Sequence, residues 1–172
     1  IREAVARAED ALLAGGAAGG RLLGLNPGAG HPSRRWPLEK FVELARRSKA
    51  AGDTVPVIFL GPEERDLVDV LARTAPDIAV VPPVLNLAEF VAAMSRLALL
   101  VSNDTGPAHM ASAVGTPVVL VLQNEAPERF LPDRGVVRKV RGSPIGSIEP
   151  SVVEAVMMET LRDATPGVAR TR

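Results

Sequence analysis

Two short segments carry residue types suited to holding an anion: Asn26-Pro27-Gly28-Ala29-Gly30 and Ser102-Asn103-Asp104-Thr105-Gly106-Pro107-Ala108-His109. Each follows an apolar run that reads as a buried strand, and each leads into a segment that reads as a helix. Glycine lets backbone approach a ligand closely. Free N–H groups at a strand-to-helix turn point at negative charge, and the helix dipole favours it there. Two such turns in one small chain predict a ligand with phosphate at its centre.

The neighbouring residues refine that chemistry. In the first segment the chain runs on through His31, Pro32, Ser33, Arg34 and Arg35 before reaching Pro37. Arg34 and Arg35 read either as solvated surface arginines or as the partners of a diphosphate. This spacing is not the dinucleotide fingerprint, which needs three glycines leading straight into a helix, so a nicotinamide-dependent oxidoreductase is disfavoured. In the second segment Asp104 reads as a helix N-cap, a role that leaves acceptor capacity for a ligand. Thr105 and Gly106 offer a hydroxyl and amides at the positive helix end. His109 falls one turn in, on the side near Thr105, either bonded to backbone or facing the ligand. His31 reads as an exposed loop residue. Glu63 and Glu64 open the helix expected after the second strand; they complement its dipole or accept from a ribose hydroxyl pair.

The elements that must position these groups alternate regularly. A helix is expected over 2–14 and a Gly-rich break over 15–20. Strands are expected over 21–26, 55–60, 78–81, 98–102, 117–122 and 136–140, and helices over 37–51, 62–74, 87–95, 105–114 and 150–162. The strands are continuous apolar runs such as Val118-Val119-Leu120-Val121-Leu122, the mark of a parallel sheet covered on both faces. Pro56 must lie off-centre or among the first residues of its strand. Pro37 suits the first position of its helix, and Trp36 is expected to pack that helix on the sheet. Right-handed crossovers then give a doubly wound sheet in the order 3-2-1-4-5-6. In that order the first and fourth strands are neighbours, and ligands bind beyond their C-terminal ends. Both glycine turns belong to that place.

Composition excludes several classes. The 172 residues suit one domain, and 20 Lys+Arg balance 20 Asp+Glu, so no general pull on nucleic acid exists. No cysteine and two histidines are present, which argues against thiolate or histidine metal sites. No apolar run is long enough to span a bilayer, and the charged N-terminus does not read as a signal peptide. The chain does not begin with Met and reads as a fragment.

At these residues the chain resembles the heptosyltransferase family, glycosyltransferase family 9. The likeness rests on Asn26-Pro27-Gly28-Ala29 followed by Arg35-Trp36-Pro37-Leu38-Glu39-Lys40-Phe41 and Glu43-Leu44-Ala45. It rests again on Ser102 through Ala111 with Val114-Gly115-Thr116-Pro117. Members look like two facing Rossmann-like domains (the GT-B type), and this chain resembles the C-terminal, donor-binding one. The fold implied is α/β, a doubly wound, mostly parallel six-stranded Rossmann-like sheet. Residues 1–20 then look like a connecting helix and linker from a missing N-terminal domain, 21–163 like a nucleotide-sugar-binding domain, and 164–172 like a disordered tail.

The resemblance implies a nucleotide-sugar donor, ADP-heptose, and a lipid-linked saccharide acceptor of the lipopolysaccharide-core type. Transfer would be inverting and independent of metal or other cofactor, in the cytoplasm or peripherally at the inner face of its membrane. Asn26, Gly28, Ala29, Arg34, Asp104, Thr105, Gly106 and His109 match donor- and phosphate-binding positions. Glu64 sits near a nucleotide-contacting Glu of the family, on the ribose or base. The catalytic base is expected in the N-terminal domain, so no catalytic residue is assigned in this chain.

Two departures stand out. Arg34 takes the place of a usual Lys, keeping charge but changing geometry. Gln123-Asn124-Glu125-Ala126-Pro127 replaces the Gly-Pro-Thr turn of many members, and an acid there is unfavourable beside phosphate unless it points away or binds a hydroxyl. The alternative reading is a binding module that holds a nucleotide or phosphosugar without catalysis.

Overall fold

The computed structural model describes residues 2–164. The tail expected to be disordered lies outside them, except Ala164, which ends the last helix. Six strands form one sheet: β1 (Leu22–Asn26), β2 (Val55–Phe59), β3 (Ala79–Val81), β4 (Leu97–Asn103), β5 (Val118–Gln123) and β6 (Val137–Gly142). Their order is β3-β2-β1-β4-β5-β6, and every pairing is parallel. The helices are α1 (Arg2–Ala14), α2 (Leu38–Ala51), α3 (Leu67–Thr74), α4 (Leu87–Met94), α5 (Gly106–Ala113) and α6 (Pro150–Ala164).

The continuous apolar runs explain the layers, because successive strand residues point to opposite faces. Leu23 and Leu25 of β1, Ile58 of β2, Val119 and Val121 of β5 join a core completed by Phe41 and Leu44 of α2, Leu71 of α3 and Val153 and Met157 of α6. Val57, Phe59, Val118 and Leu120, from the alternate positions, join a second core with Ala8 and Leu12 of α1, Met94 of α4 and Ala108 of α5. Each fully buried aliphatic or aromatic side chain contributes about 1.5–3 kcal/mol, so removing either helical layer would expose half the sheet. Trp36 packs as expected: it is 1% exposed, meets Phe41 edge-on at 4.8 Å and donates from Nε1 to the Ile148 carbonyl at 2.9 Å.

Several boundaries differ from the sequence reading. The segment before β1 packs on the sheet: Ala8, Leu12 and Ala17 are buried in its second core, and the Val80 amide at the β3 edge donates to the Gly15 carbonyl at 3.0 Å. Pro37 is the N-cap of α2 rather than its first residue, with Gly52 closing the helix in the left-handed region at φ 79°. The helix expected from residue 62 splits into a 3-10 turn, Pro62–Glu64, and α3. Pro56 is the second residue of the interior strand β2, among its first residues, and lies before the β2–β3 pairing begins at Val57. No helix among the described residues is long and apolar enough to cross a membrane.

Candidate functional site

The strand order reverses between β1 and β4, and the loops after both strands meet there. Asn26, at the end of β1, donates from Nδ2 to Ser102 Oγ and Thr105 Oγ1, each at 3.1 Å. Asn103, at the end of β4, reaches the other way. Its Oδ1 accepts from the Trp36 amide at 3.0 Å, and its Nδ2 donates to the carbonyls of Pro27 at 2.9 Å and Gly28 at 3.3 Å. Both asparagines are buried, so these bonds form where an unpaired polar group would cost about 1–3 kcal/mol. The two glycine turns are thereby fastened together at one end of the sheet.

A third fastening comes from the loop after β2. Glu64 is buried and accepts from the Gly61 amide at 3.0 Å. A Cβ on Gly28 would lie 2.9 Å from the Glu64 carboxyl carbon, and one on Gly61 2.7 Å from its Oε2. A side chain at either glycine would therefore push this carboxylate out of its place. Arg35 donates to the Ala29 carbonyl from Nε at 3.0 Å and from Nη2 at 2.9 Å, and lies 3.8 Å from Glu64 Oε1. The two arginines of the sequence reading thus separate: Arg35 holds the loop, whereas the Arg34 side chain makes no bond within the described residues.

Three concavities lie side by side along this edge. The central one, about 390 Å³, is lined by Asn26, Gly28, Ala29, Gly30, Glu64, Thr105 and Gly106. The amides of Gly28, Ala29, Gly30, Thr105 and Gly106 find no acceptor among the described residues. On the β2–β3 side an apolar cavity of about 270 Å³, lined by Phe59, Leu60, Leu85, Phe90 and Met110, shares Pro62 and Pro107 with the first. On the β5 side a smaller cavity of about 140 Å³ is lined by Ser33, Arg34, Asp104, Gln123, Glu125 and Ile145. The sequence therefore lays an apolar, an amide-rich and a charged compartment in a row.

Within this layout the sequence-predicted residues fall into groups. Asn26, Gly28, Ala29, Glu64, Thr105 and Gly106 line the central cavity; Arg34 and Asp104 line the charged one. Asp104 is not the helix cap: Thr105 occupies that position, with no side-chain cap bond, and the Asp104 carboxylate has no hydrogen bond among the described residues. The extended backbone of Thr105, φ −152° and ψ 169°, starts α5 one residue later than a capping Asp104 requires. His109 is exposed on α5 and lines neither cavity. His31 is exposed as expected, its Nδ1 accepting from the Ser33 amide at 3.2 Å.

Asn103, Gln123 and Arg141 have functional placements that the sequence reading did not assign. Gln123 Nε2 donates to the Ser33 carbonyl, tying the β5 loop to the β1 loop. Arg141, on β6, donates from Nη1 to the carbonyls of Gln123, Asn124 and Ala126 at 3.0, 3.1 and 3.2 Å. Its Nη2 donates to Glu128 Oε1 at 2.5 Å. Hydrogen bonds from Lys139 and Arg141 hold the Glu128 carboxyl below the ordinary carboxylate range. A polar residue ending an otherwise apolar strand was the available signal for Asn103 and Gln123; nothing local signalled Arg141.

Comparison with known proteins places this arrangement. The family model described as glycosyltransferase family 9 (heptosyltransferase) matches residues 2–144. No curated protein sequence matches the chain. A glycosyl transferase family 9 structure from Veillonella parvula superposes with a TM-score of 0.84 at 22% identity, over 94% of this chain and 52% of that one. The E. coli ADP-heptose lps heptosyltransferase II gives 0.79 at 20% identity, over 92% and 52%. E. coli heptosyltransferase WaaC with ADP-2-deoxy-2-fluoro heptose gives 0.68 at 20%, over 88% and 47%. The chain spans about half the length of these solved structures, which share its fold. With its family model matched over most of its length, the chain belongs to glycosyltransferase family 9, the heptosyltransferase family.

Proposed function

We propose that this chain is the donor-binding, C-terminal domain of a GT-B glycosyltransferase that takes a nucleoside-diphosphate sugar, ADP-heptose, and passes its sugar to a lipopolysaccharide-core-type acceptor. One observation carries the reading: five residues whose amides find no acceptor among the described residues line a single cavity at the strand-order reversal. Such amides suit a diphosphate. The apolar cavity beside them suits a stacked base, and the charged cavity on the far side suits a polyhydroxylated sugar. WaaC has been solved with an ADP-sugar analogue, which supports the same assignment here.

In the transfer an acceptor hydroxyl oxygen attacks the anomeric carbon as the bond to the diphosphate oxygen breaks, inverting that centre. The acceptor proton passes to a base on an N-terminal domain, and the electron pair of the broken bond leaves with the diphosphate. The amides stabilise that growing charge in place, without reorganising, and Arg34, free in the neighbouring cavity, swings to add a positive charge, so no metal is required. The site of action is the cytoplasm or the inner membrane face, where a lipid-linked saccharide acceptor is reached. Asp104→Ala should leave thermal stability nearly unchanged, since the carboxylate holds nothing in the fold. Calorimetry on the full-length protein should show ADP-heptose affinity falling about 10-fold or more, the scale of a lost charge-assisted hydrogen bond. Wild-type protein that binds neither ADP nor ADP-heptose would overturn the reading; binding without transfer would point to a non-catalytic module.

A further inference from the structure

Glu125, in the loop after β5, has surroundings unusual for a surface acid. It lines the charged cavity opposite Arg34 and Asp104. Its carboxylate has no partner among the described residues, so folding does not use it. Its backbone is nonetheless fixed: a single guanidinium, Arg141, grips the carbonyls of Gln123, Asn124 and Ala126 on either side of it. Gln123 fastens the same loop to Ser33 at the cavity's far wall. These bonds fix the backbone from which the exposed, unbonded Glu125 carboxylate reaches the cavity.

Charge decides what it can meet there. With Arg34 drawn to the diphosphate, Asp104 and Glu125 leave two negative charges in a cavity of about 140 Å³. A phosphate placed among them would be repelled, so the diphosphate belongs in the amide-rich cavity. The part of the ligand that reaches Glu125 must donate hydrogen bonds and carry no negative charge. A sugar hydroxyl meets both conditions, and a carboxylate accepts from it in a charge-assisted bond.

We propose that Glu125 is a specificity-determining residue that accepts a hydrogen bond from a hydroxyl of the transferred sugar. Arg141 acts as its positioning residue. The assignment rests on the reading of the neighbouring cavity as a diphosphate cradle. A site built to accept from a hydroxyl discriminates against a sugar lacking it, because the carboxylate, exposed in the free protein, loses water when the sugar covers it and is then left unpaired. The departure at 123–127 thus becomes a selector in place of a defect.

The test separates sugar from nucleotide. Calorimetric Kd values for ADP and for ADP-heptose are measured on full-length wild type, Glu125→Ala and Glu125→Gln. Glu125→Ala should weaken ADP-heptose about 10-fold or more while ADP changes less than about 2-fold or tightens. Glu125→Gln, which still accepts but lacks the charge, should fall between. Arg141→Gln should weaken ADP-heptose in the same direction without altering ADP. Equal changes for the two ligands in Glu125→Ala, including no change in either, overturn the assignment to Glu125 and leave the diphosphate cradle standing. Failure of wild type to bind ADP at all strikes the cradle itself.

Discussion

The central and the charged cavities sit on either side of the Asp104–Thr105 peptide, yet they use polar side chains in opposite ways. Around the central cavity Asn26, Asn103 and Glu64 are buried and bonded to backbone or hydroxyl groups of neighbouring loops. They shape the cavity, whose lining residues Gly28, Ala29, Gly30, Thr105 and Gly106 keep amides without acceptors among the described residues. Around the charged cavity Arg34, Asp104 and Glu125 have no bonds within the described residues, and the framework is supplied by Gln123 and Arg141. In one region side chains are scaffold and backbone amides are left without partners; in the other backbone is scaffold and side chains are left without partners. A phosphate-binding surface common to many donors is best built of amides, which cannot mutate away. A surface that selects one sugar is best built of side chains, which can.

The sharpest way to break this contrast is to compare Asn103 with Asp104, its neighbour in sequence. Asn103→Ala should be the most destabilising change at the site. It strands the Trp36 amide and the Pro27 and Gly28 carbonyls, three groups that Asn103 alone ties together. With each unpaired buried group costing about 1–3 kcal/mol, a loss of about 3 kcal/mol or more in urea denaturation is expected. The stability of Asp104→Ala should stay near wild type by the same measurement. Similar losses in the two variants would erase the distinction between scaffold and ligand-facing side chains.

Much of this architecture was legible in the sequence. Apolar runs without alternation, separated by helical periodicities, dictated a parallel sheet covered on both faces. The crossover rule then placed the loops after β1 and β4 side by side, and the observed order obeys it. What remained hidden was long-range. The sequence offers Arg34 and Arg35 as equivalents; only the positions of Ala29 and Glu64 decide that Arg35 is consumed in the fold. Asp104 satisfies every local rule for a cap, yet the extended Thr105 takes that place. Arg141 lies 18 residues from Gln123 in the chain, and no local pattern announces that a β6 side chain braces the β5 loop. Local chemistry fixes what a residue can do; the neighbours brought by the fold decide whether it is still free to do it.

Gly28 tests the scaffold side at smaller amplitude. A methyl group there meets the Glu64 carboxyl at 2.9–3.0 Å, and Glu64 cannot swing away without breaking its bond to the Gly61 amide. Gly28→Ala should therefore cost about 1–3 kcal/mol, as overpacking does elsewhere. In a Glu64→Ala background the obstacle is gone, and the same substitution should cost far less. Coupling of about 1 kcal/mol or more in this double-mutant cycle, read by urea titration, is the expected result. Strict additivity would mean that Glu64 does not wall the cradle.

The smallest effect concerns the brace beneath the charged cavity. Glu128 is ion-paired to Lys139 and Arg141, and those partners lower its carboxyl pKa in the native protein. A depressed native value means that the unfolded chain binds the proton first as pH falls. The stabilisation from this group is thus fully present above its ordinary value of 4.5 and is lost as pH drops through the lowered native one. Glu128→Gln removes the charge at every pH, so wild type should exceed it in stability by a small, constant margin from pH 7 down to that ordinary value. Below it the margin should close, because the wild-type carboxyl is then protonated too. The pair is solvent-exposed, and salt should shrink the margin at neutral pH. Urea titrations between pH 7 and pH 3 read the difference directly; a margin that widens in acid would mean that Glu128 does not hold Arg141 through its charge.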